Sequence, residues 1–255
     1  MMFAAALLWL AGPASAPPPA VVPAPAASVV FAPPLDRPMR YRVTTRRLGR
    51  DGELLGFSLL YDLQWQRAGR GYRLVATLRR IDSDAPPRAL RALTAVLQPL
   101  VGEAMTYLVA PDGGRIDLVD AERLWDRAMA RTEALAAAAD QLEAKQLAAL
   151  VAALSPDERA ALASADIRAL LAPANAASRI GGTVSPDGDG TRETATKVEA
   201  ATAAAQPLVI ESLWTIDRTT GLVLREQRQS WIVGDGGGAR TLVEERIRAI
   251  EPDVS

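Results

Sequence analysis

Apolar and polar residues alternate with a period of two along both outer thirds of the chain, and between them the period lengthens to that of a helix. Near the start, Tyr41, Val43 and Thr45 alternate with Arg40, Arg42 and Arg46, the pattern of a half-buried strand. Phe57, Leu59, Tyr61, Leu63 and Trp65 then share one face, while Ser58, Asp62, Gln64 and Gln66 take the other. A turn at Ala68-Gly69-Arg70-Gly71 leads into Tyr72, Leu74, Ala76 and Leu78. Residues 39–81 therefore predict three antiparallel strands.

The last third repeats the pattern. A Gly/Asp/Pro-rich loop over 182–190 precedes a polar strand over 191–202. Leu208, Ile210, Trp214 and Ile216 then mark one face of the next strand, with Ser212 among them. The chain turns at Asp217-Arg218-Thr219-Thr220-Gly221 and returns over 223–233, carrying Trp231. It turns again over 234–238 and closes the meander over 242–250.

The middle reads differently. Leu90, Leu93, Leu97 and Leu100 have the three-and-four spacing of an amphipathic helix. A small hairpin follows, Met105 to Val109 and Ile116 to Val119 around Pro111-Asp112-Gly113-Gly114. Residues 121–154 are alanine-rich with a leucine stripe and predict one long helix or two broken ones. Ser155-Pro156-Asp157-Glu158 is a helix start, with serine as N-cap, proline in the first turn and glutamate closing a capping box. That helix is expected to stop at Pro173. Alanine favours helix yet buries little area per residue, so the helices are expected to lie over something larger than themselves.

Together these elements predict an α+β fold. Two meanders form one strongly curved antiparallel β-sheet of six or more strands, covered on one face by a helical insert at about 88–172. Neither meander alone has the strands and apolar surface for independent stability, so residues 36–255 are expected to form a single domain.

The first 35 residues bear on location. A ten-residue apolar run, Phe3 to Gly12, precedes Ala14-Ser15-Ala16, which has the small-x-small form of a signal-peptidase site. A Pro/Ala-rich tract over 17–34 follows and is read as a disordered leader. Cleavage after Ala26 competes with cleavage after Ala16, because Pro17 suits the residue after a cut poorly. The run is too short for a membrane span. A periplasmic or secreted protein is expected, without disulfides or an N-terminal lipid anchor, since the sequence has no cysteine.

Charge argues against nucleic acid as a partner, with 29 basic residues balanced by 30 acidic ones. Over 36–80, however, 11 arginines face 4 acids. They are expected to lie on the solvent face of a sheet whose neighbouring strands supply the glutamates; an anionic surface or lipid headgroup is the other reading.

Chemistry is sparse. With no histidine, the commonest general base near neutral pH and the imidazole metal ligands are gone. No glycine-rich phosphate loop or G-x-S-x-G is present. Asp187-Gly188-Asp189-Gly190 begins like a calcium loop, but Arg192 stands where glycine is required. No catalytic, cofactor-binding or metal residue is assigned. Glu226 against Glu244 across a hairpin is the carboxylate pair that keeps a hydrolase reading open, against simple ion pairing with neighbouring arginines.

The layout is similar, at the level of fold alone, to exported proteins with a curved sheet and covering helices, bacterial carriers of acyl chains among them. The expected function is therefore a non-catalytic envelope protein that binds a lipid or other apolar small molecule. The candidate lining is Phe57, Leu59, Tyr61, Leu63, Trp65, Trp214 and Trp231. The alternative is a scaffold that docks another envelope protein through the same strands.

Overall fold

The computed structural model describes residues 30–49, 52–83, 97–139, 153, 155–176, 183–186, 191–203, 206–234 and 239–251. Ten strands are present among them: β1 (Pro38–Leu48), β2 (Leu54–Ala68), β3 (Gly71–Ser83), β4 (Ala104–Val109), β5 (Ile116–Leu118), β6 (Thr183–Pro186), β7 (Arg192–Ala203), β8 (Gln206–Asp217), β9 (Val223–Val233) and β10 (Arg240–Glu251). A 3-10 turn spans Gln98–Leu100, and two described helices follow, α1 (Ala121–Ala139) and α2 (Pro156–Ala176).

All ten strands pair antiparallel in one sheet, in the order β5-β4-β3-β2-β1-β10-β9-β8-β7-β6. Each meander forms one half, and the seam is the ladder between β1 and β10, from Arg40↔Glu251 to Arg47↔Glu244. The 105–119 hairpin extends the first meander as β4 and β5 instead of standing apart in the helical insert. β6, a short edge strand pairing with β7, lies at the start of the stretch read as a loop over 182–190.

The strong curvature expected from the sequence is absent. The sheet is open, neither closed nor strongly curled, with β5 and β6 as its edge strands. Bulges and glycine kinks are what bend a sheet sharply. Here the described ladders run long and regular, with register shifts only at Leu60/Tyr61, Thr215/Ile216 and Leu242/Glu244. The helices lie across an open sheet and are not cupped by it.

Alternation sorts the side chains. Tyr41, Val43, Leu59, Tyr61, Leu63, Trp65, Leu74, Ala76, Leu78, Met105 and Tyr107 share the helix-facing side and are buried. From above, α2 contributes Ile167, Leu170 and Leu171, and α1 contributes Leu124, Trp125 and Ala128. The spacing within each helix is that of a single stripe. α2 begins as expected: Ser155 Oγ accepts from the Glu158 amide at 3.3 Å, and the Ser155 amide donates to the Glu158 carboxylate at 2.7 Å. It runs past Pro173 to Ala176. Of the helix read around Leu90–Leu100, the described part is the 3-10 turn and its preceding residue, and residues 140–152 of the long helical stretch also lie outside the described residues.

The opposite side carries ion pairs. Arg42 meets Glu251 at 2.6 Å, Arg46 meets Glu245 at 3.1 Å, Arg79 meets Asp62 at 2.6 Å and Arg80 meets Asp82 at 2.9 Å. The arginine excess of the first meander is thus met in part by glutamates of β10, some 200 residues away in the chain.

The described chain opens inside the stretch assigned to the leader, and there it is packed. Phe31 is buried edge-on against Trp65 and Tyr72, whose hydroxyl donates to the Phe31 carbonyl at 3.1 Å. The Ala32 amide donates to the Thr220 carbonyl, and the Asp36 amide to the Trp65 carbonyl. Residues 30–37 thereby cross from the β8–β9 turn to the end of β2, closing one end of the helix-facing layer. The turn is built to receive them. Asp217 accepts from the Thr219 amide and hydroxyl, and Gly221 adopts φ 70°, where an added Cβ would sit 2.8 Å from the Val30 carbonyl oxygen. Gly221→Ala is expected to destabilise the protein by about 1 kcal/mol or more, through left-handed backbone strain and this clash. An unchanged thermal midpoint would show that the segment does not bear on this turn.

Candidate functional site

The helix-facing side divides at the seam. Across β1 to β5 it is apolar. Across β10 to β7 it is mixed, with the directly opposed rows Arg248–Glu226–Trp214–Ala195, then Arg246–Arg228–Ser212–Lys197.

The centre of the division is a buried cluster under α2. Arg248 Nη1 donates to Glu226 Oε2 at 2.5 Å, and its Nε and Nη2 both lie 3.2 Å from Asp166 Oδ1. The Arg248 and Glu226 side chains are 9% exposed. Burial alone disfavours the guanidinium charge, but Glu226 and Asp166 outweigh it and raise the Arg248 pKa above its ordinary value. Beside the cluster, the Tyr41 hydroxyl donates to the Asp166 carbonyl at 3.0 Å and the Tyr107 hydroxyl to the Ala163 carbonyl at 2.8 Å. These bonds tie α2 to β1, β4 and β10 together. Burial, and then the Asp166 charge, push the Tyr41, Tyr61 and Tyr107 hydroxyls well above the ordinary tyrosine value.

What this arrangement does is mechanical: one cation clamps two carboxylates and fixes a helix on a sheet. Both carboxylates, Asp166 and Glu226, pair with Arg248. Glu226 and Glu244 share the helix-facing side but do not form a pair. Glu226 opposes Arg248 and Glu244 opposes Ser230, four positions further along β9. At about 3.3 Å per residue they are offset by roughly 13 Å along the ladder, so the two do not oppose each other as a pair across the hairpin. Glu244 instead meets Arg47 at 2.7 Å. Among the described residues no group of three or more His, Cys, Asp or Glu side chains is placed to hold a metal ion; Asp187 to Gly190 lie outside them.

Of the candidate lining, Leu59, Tyr61, Leu63, Trp65 and Trp214 are buried on the helix-facing side, and Phe57 is half-buried there. Trp231 is not with them. It opposes Val209 and Leu242 on the other side of the sheet, where the Arg240 guanidinium stacks 4.5 Å from its ring centroid. Burial also changes along the strands. Near residues 30–37 the layer is closed, Trp65 and Leu63 being at most 1% exposed. At the other end Leu55, Phe57, Ile81, Leu208, Ile210 and Ile232 are only half-buried, around Arg246, which is half-buried, and Arg228, which is exposed.

The opposite side has a feature of its own, a depression of about 300 Å³ between β7, β8 and β9. Gln227 and Gln229 border it and donate their amides to Glu245, each at 2.8 Å. Its rim includes Val198 and Leu213, both exposed.

Comparison with known proteins adds little. No family model matches the chain, and no curated protein matches it. Among solved structures it is similar to a DUF1329 family protein from Desulfovibrio piger at 8% identity over 84% of this chain and 83% of that chain, with a TM-score of 0.18. At that score the likeness bears on neither fold nor function.

The sequence reading missed Asp166, Tyr41, Tyr107 and Arg248 as a set, although a signal existed. Arg248 has the same phase as Ile250 and so faces inward, and Asp166 falls on the α2 stripe of Ala163 and Leu170. Both are charged residues at core positions.

Two outcomes follow from the cluster. Arg248→Met strands two carboxylates beneath the helix and is expected to cost about 3–5 kcal/mol, whereas replacing Arg248, Glu226 and Asp166 together by apolar residues costs much less. Denaturant unfolding of the two variants checks this, and equal losses would contradict it. The tyrosines set a limit at high pH. Their folded pKa values lie above the ordinary 10.0, so the stability they confer is complete below that value. It is lost as pH rises from there toward the folded values. Tyrosinate absorbance should therefore rise together with loss of tertiary circular dichroism. Titration of Tyr41, Tyr61 and Tyr107 near pH 10 in a still-folded protein would contradict their burial.

Proposed function

We propose that this is a non-catalytic protein of the cell envelope that binds a hydrophobic or amphiphilic ligand on the helix-facing side of its sheet. The observation that carries the reading is the gradient of burial on that side. One end is sealed by residues 30–37, while the other presents half-buried aliphatic and aromatic side chains beside basic ones. An amphiphile matches that mixture, since its tail removes apolar surface from water and its head meets the basic residues. The contact region therefore shifts from the packed row Leu59 to Trp65 toward Phe57, Leu55 and Ile210. A binding role in preference to a catalytic one is supported by the commitment of Asp166 and Glu226 to Arg248.

Export to the periplasm or beyond is proposed from the apolar run and Ala14-Ser15-Ala16. No helix among the described residues is long and apolar enough to cross a membrane.

A scaffold role is favoured by a separate observation. Exposed Val198 and Leu213 flank the depression on the opposite side, and β6 is an edge strand nearby. Native mass spectrometry and lipid extraction of protein purified from its own envelope decide between the two. The expected result is a co-purifying amphiphile and a change in tryptophan emission on adding it back to stripped protein. Recovery of ligand-free protein whose fluorescence ignores fatty acids and phospholipids would leave the scaffold.

A further inference from the structure

Arg246 on β10 and Arg228 on β9 are directly opposed in the antiparallel ladder, which brings their Cβ atoms to within roughly 4.5–5.5 Å of each other. Like charges so placed repel, and they normally share a carboxylate. Here none is available among the described residues. Arg246 donates Nε to the Thr45 hydroxyl at 3.1 Å, and Arg228 has no charged partner among the described residues. The carboxylates on the same side are engaged elsewhere: Glu226 and Asp166 with Arg248, Glu244 with Arg47, Glu199 with Lys197 at 2.7 Å, and Glu193 with Arg218 at 4.0 Å. The Asp166–Arg248–Glu226 cluster carries one surplus negative charge in the next row, enough to offset one of the two arginines. Among the described residues one positive charge remains unmatched.

The same row continues into Ser212, which is buried, and in the neighbouring row Trp214 carries a buried indole N–H without a partner among the described residues. Hydrogen-bond donors thus gather around two guanidiniums, and apolar side chains lie to both sides: Phe57 and Leu55 across β1, Ile210 and Ile232 on β8 and β9. Arginine forks suit the oxygens of a carboxylate or phosphate.

Resting on the amphiphile-binding reading above, we infer that Arg228 and Arg246 hold the monoanionic headgroup of that amphiphile, while its chain lies along the half-buried apolar residues beside them. The unmatched charge sets the headgroup charge at one, and the apolar flanks distinguish a lipid from a free anion.

The test titrates the full chain with oleate, oleyl alcohol and acetate below the micellar range, followed by calorimetry, for the wild type, Arg228→Gln, Arg246→Gln and Arg80→Gln. Arg80 pairs with Asp82 on the opposite side and serves as control. The expected result is that oleate binds at least tenfold more tightly than oleyl alcohol. Either Arg228→Gln or Arg246→Gln should weaken oleate about tenfold without affecting the alcohol, and Arg80→Gln should change nothing. Arg228 is exposed, so its variant remains interpretable if Arg246→Gln proves unstable. Equal binding of oleate and oleyl alcohol, or full oleate affinity in Arg228→Gln, overturns the headgroup assignment and leaves amphiphile binding standing. Acetate binding as tightly as oleate also overturns it, making this a small-anion site. If neither lipid binds, the assignment falls together with the reading it rests on.

Discussion

The ladder between β1 and β10 is the constraint on which the rest of the structure depends. It joins residues about 200 positions apart at the middle of a ten-stranded sheet, so every strand on either side is placed by reference to it. Without it each meander would expose a long unpaired strand, the kind of edge that invites wrong pairing. Its register is set on both faces. Outside, Arg42 and Arg46 meet Glu251 and Glu245; inside, Val43 opposes Arg248. A slip by one residue would turn Arg248 out to solvent and bring Glu245 or Ile247 beneath the helix. Pairing at such separation is entropically costly to close and forms late in most chains.

The buried cluster under α2 is a specifying device for the β9–β10 register and the helix placement, and it reaches the seam through the Tyr41 hydroxyl on the Asp166 carbonyl. A buried ion pair is weak evidence of stability, because desolvation offsets much of its Coulombic gain. It is discriminating, however: only one register and one helix placement bring Arg248, Glu226 and Asp166 together. The cluster also separates two environments on one side of the sheet. Toward β5 lie dry aromatic and aliphatic layers, and toward β7 lie rows in which arginine, serine and lysine alternate with isoleucine and leucine.

Much of this architecture was legible in the chain. Nine of the ten strands were placed from the sequence, and alternation assigned the faces of β1, β2, β3 and β8, because a period of two leaves each strand only two ways to lie and burial selects one. The capping box at Ser155 and Glu158 placed the start of α2, and the turn residues Asp217 to Gly221 placed the β8–β9 connection. The shape of the sheet was not legible. Curvature depends on how bulges and twist accumulate across many ladders, which no local pattern records. β6 was hidden by its brevity, and Phe31 by the Pro/Ala tract around it, since one buried aromatic carries no period.

The candidate site divides in the same way. The sequence by itself determined which residues share a strand face, so Phe57 through Trp65 could be grouped, and it showed that no histidine or cysteine chemistry is available. Only the tertiary structure decided which groups meet across strands. Register set Trp231 on the opposite side from Trp214, parted Glu226 from Glu244, and brought Arg228 against Arg246. Those outcomes turn on the registers of the β8–β9 and β9–β10 hairpins, which are set by packing and charge in three dimensions and leave no mark on local composition.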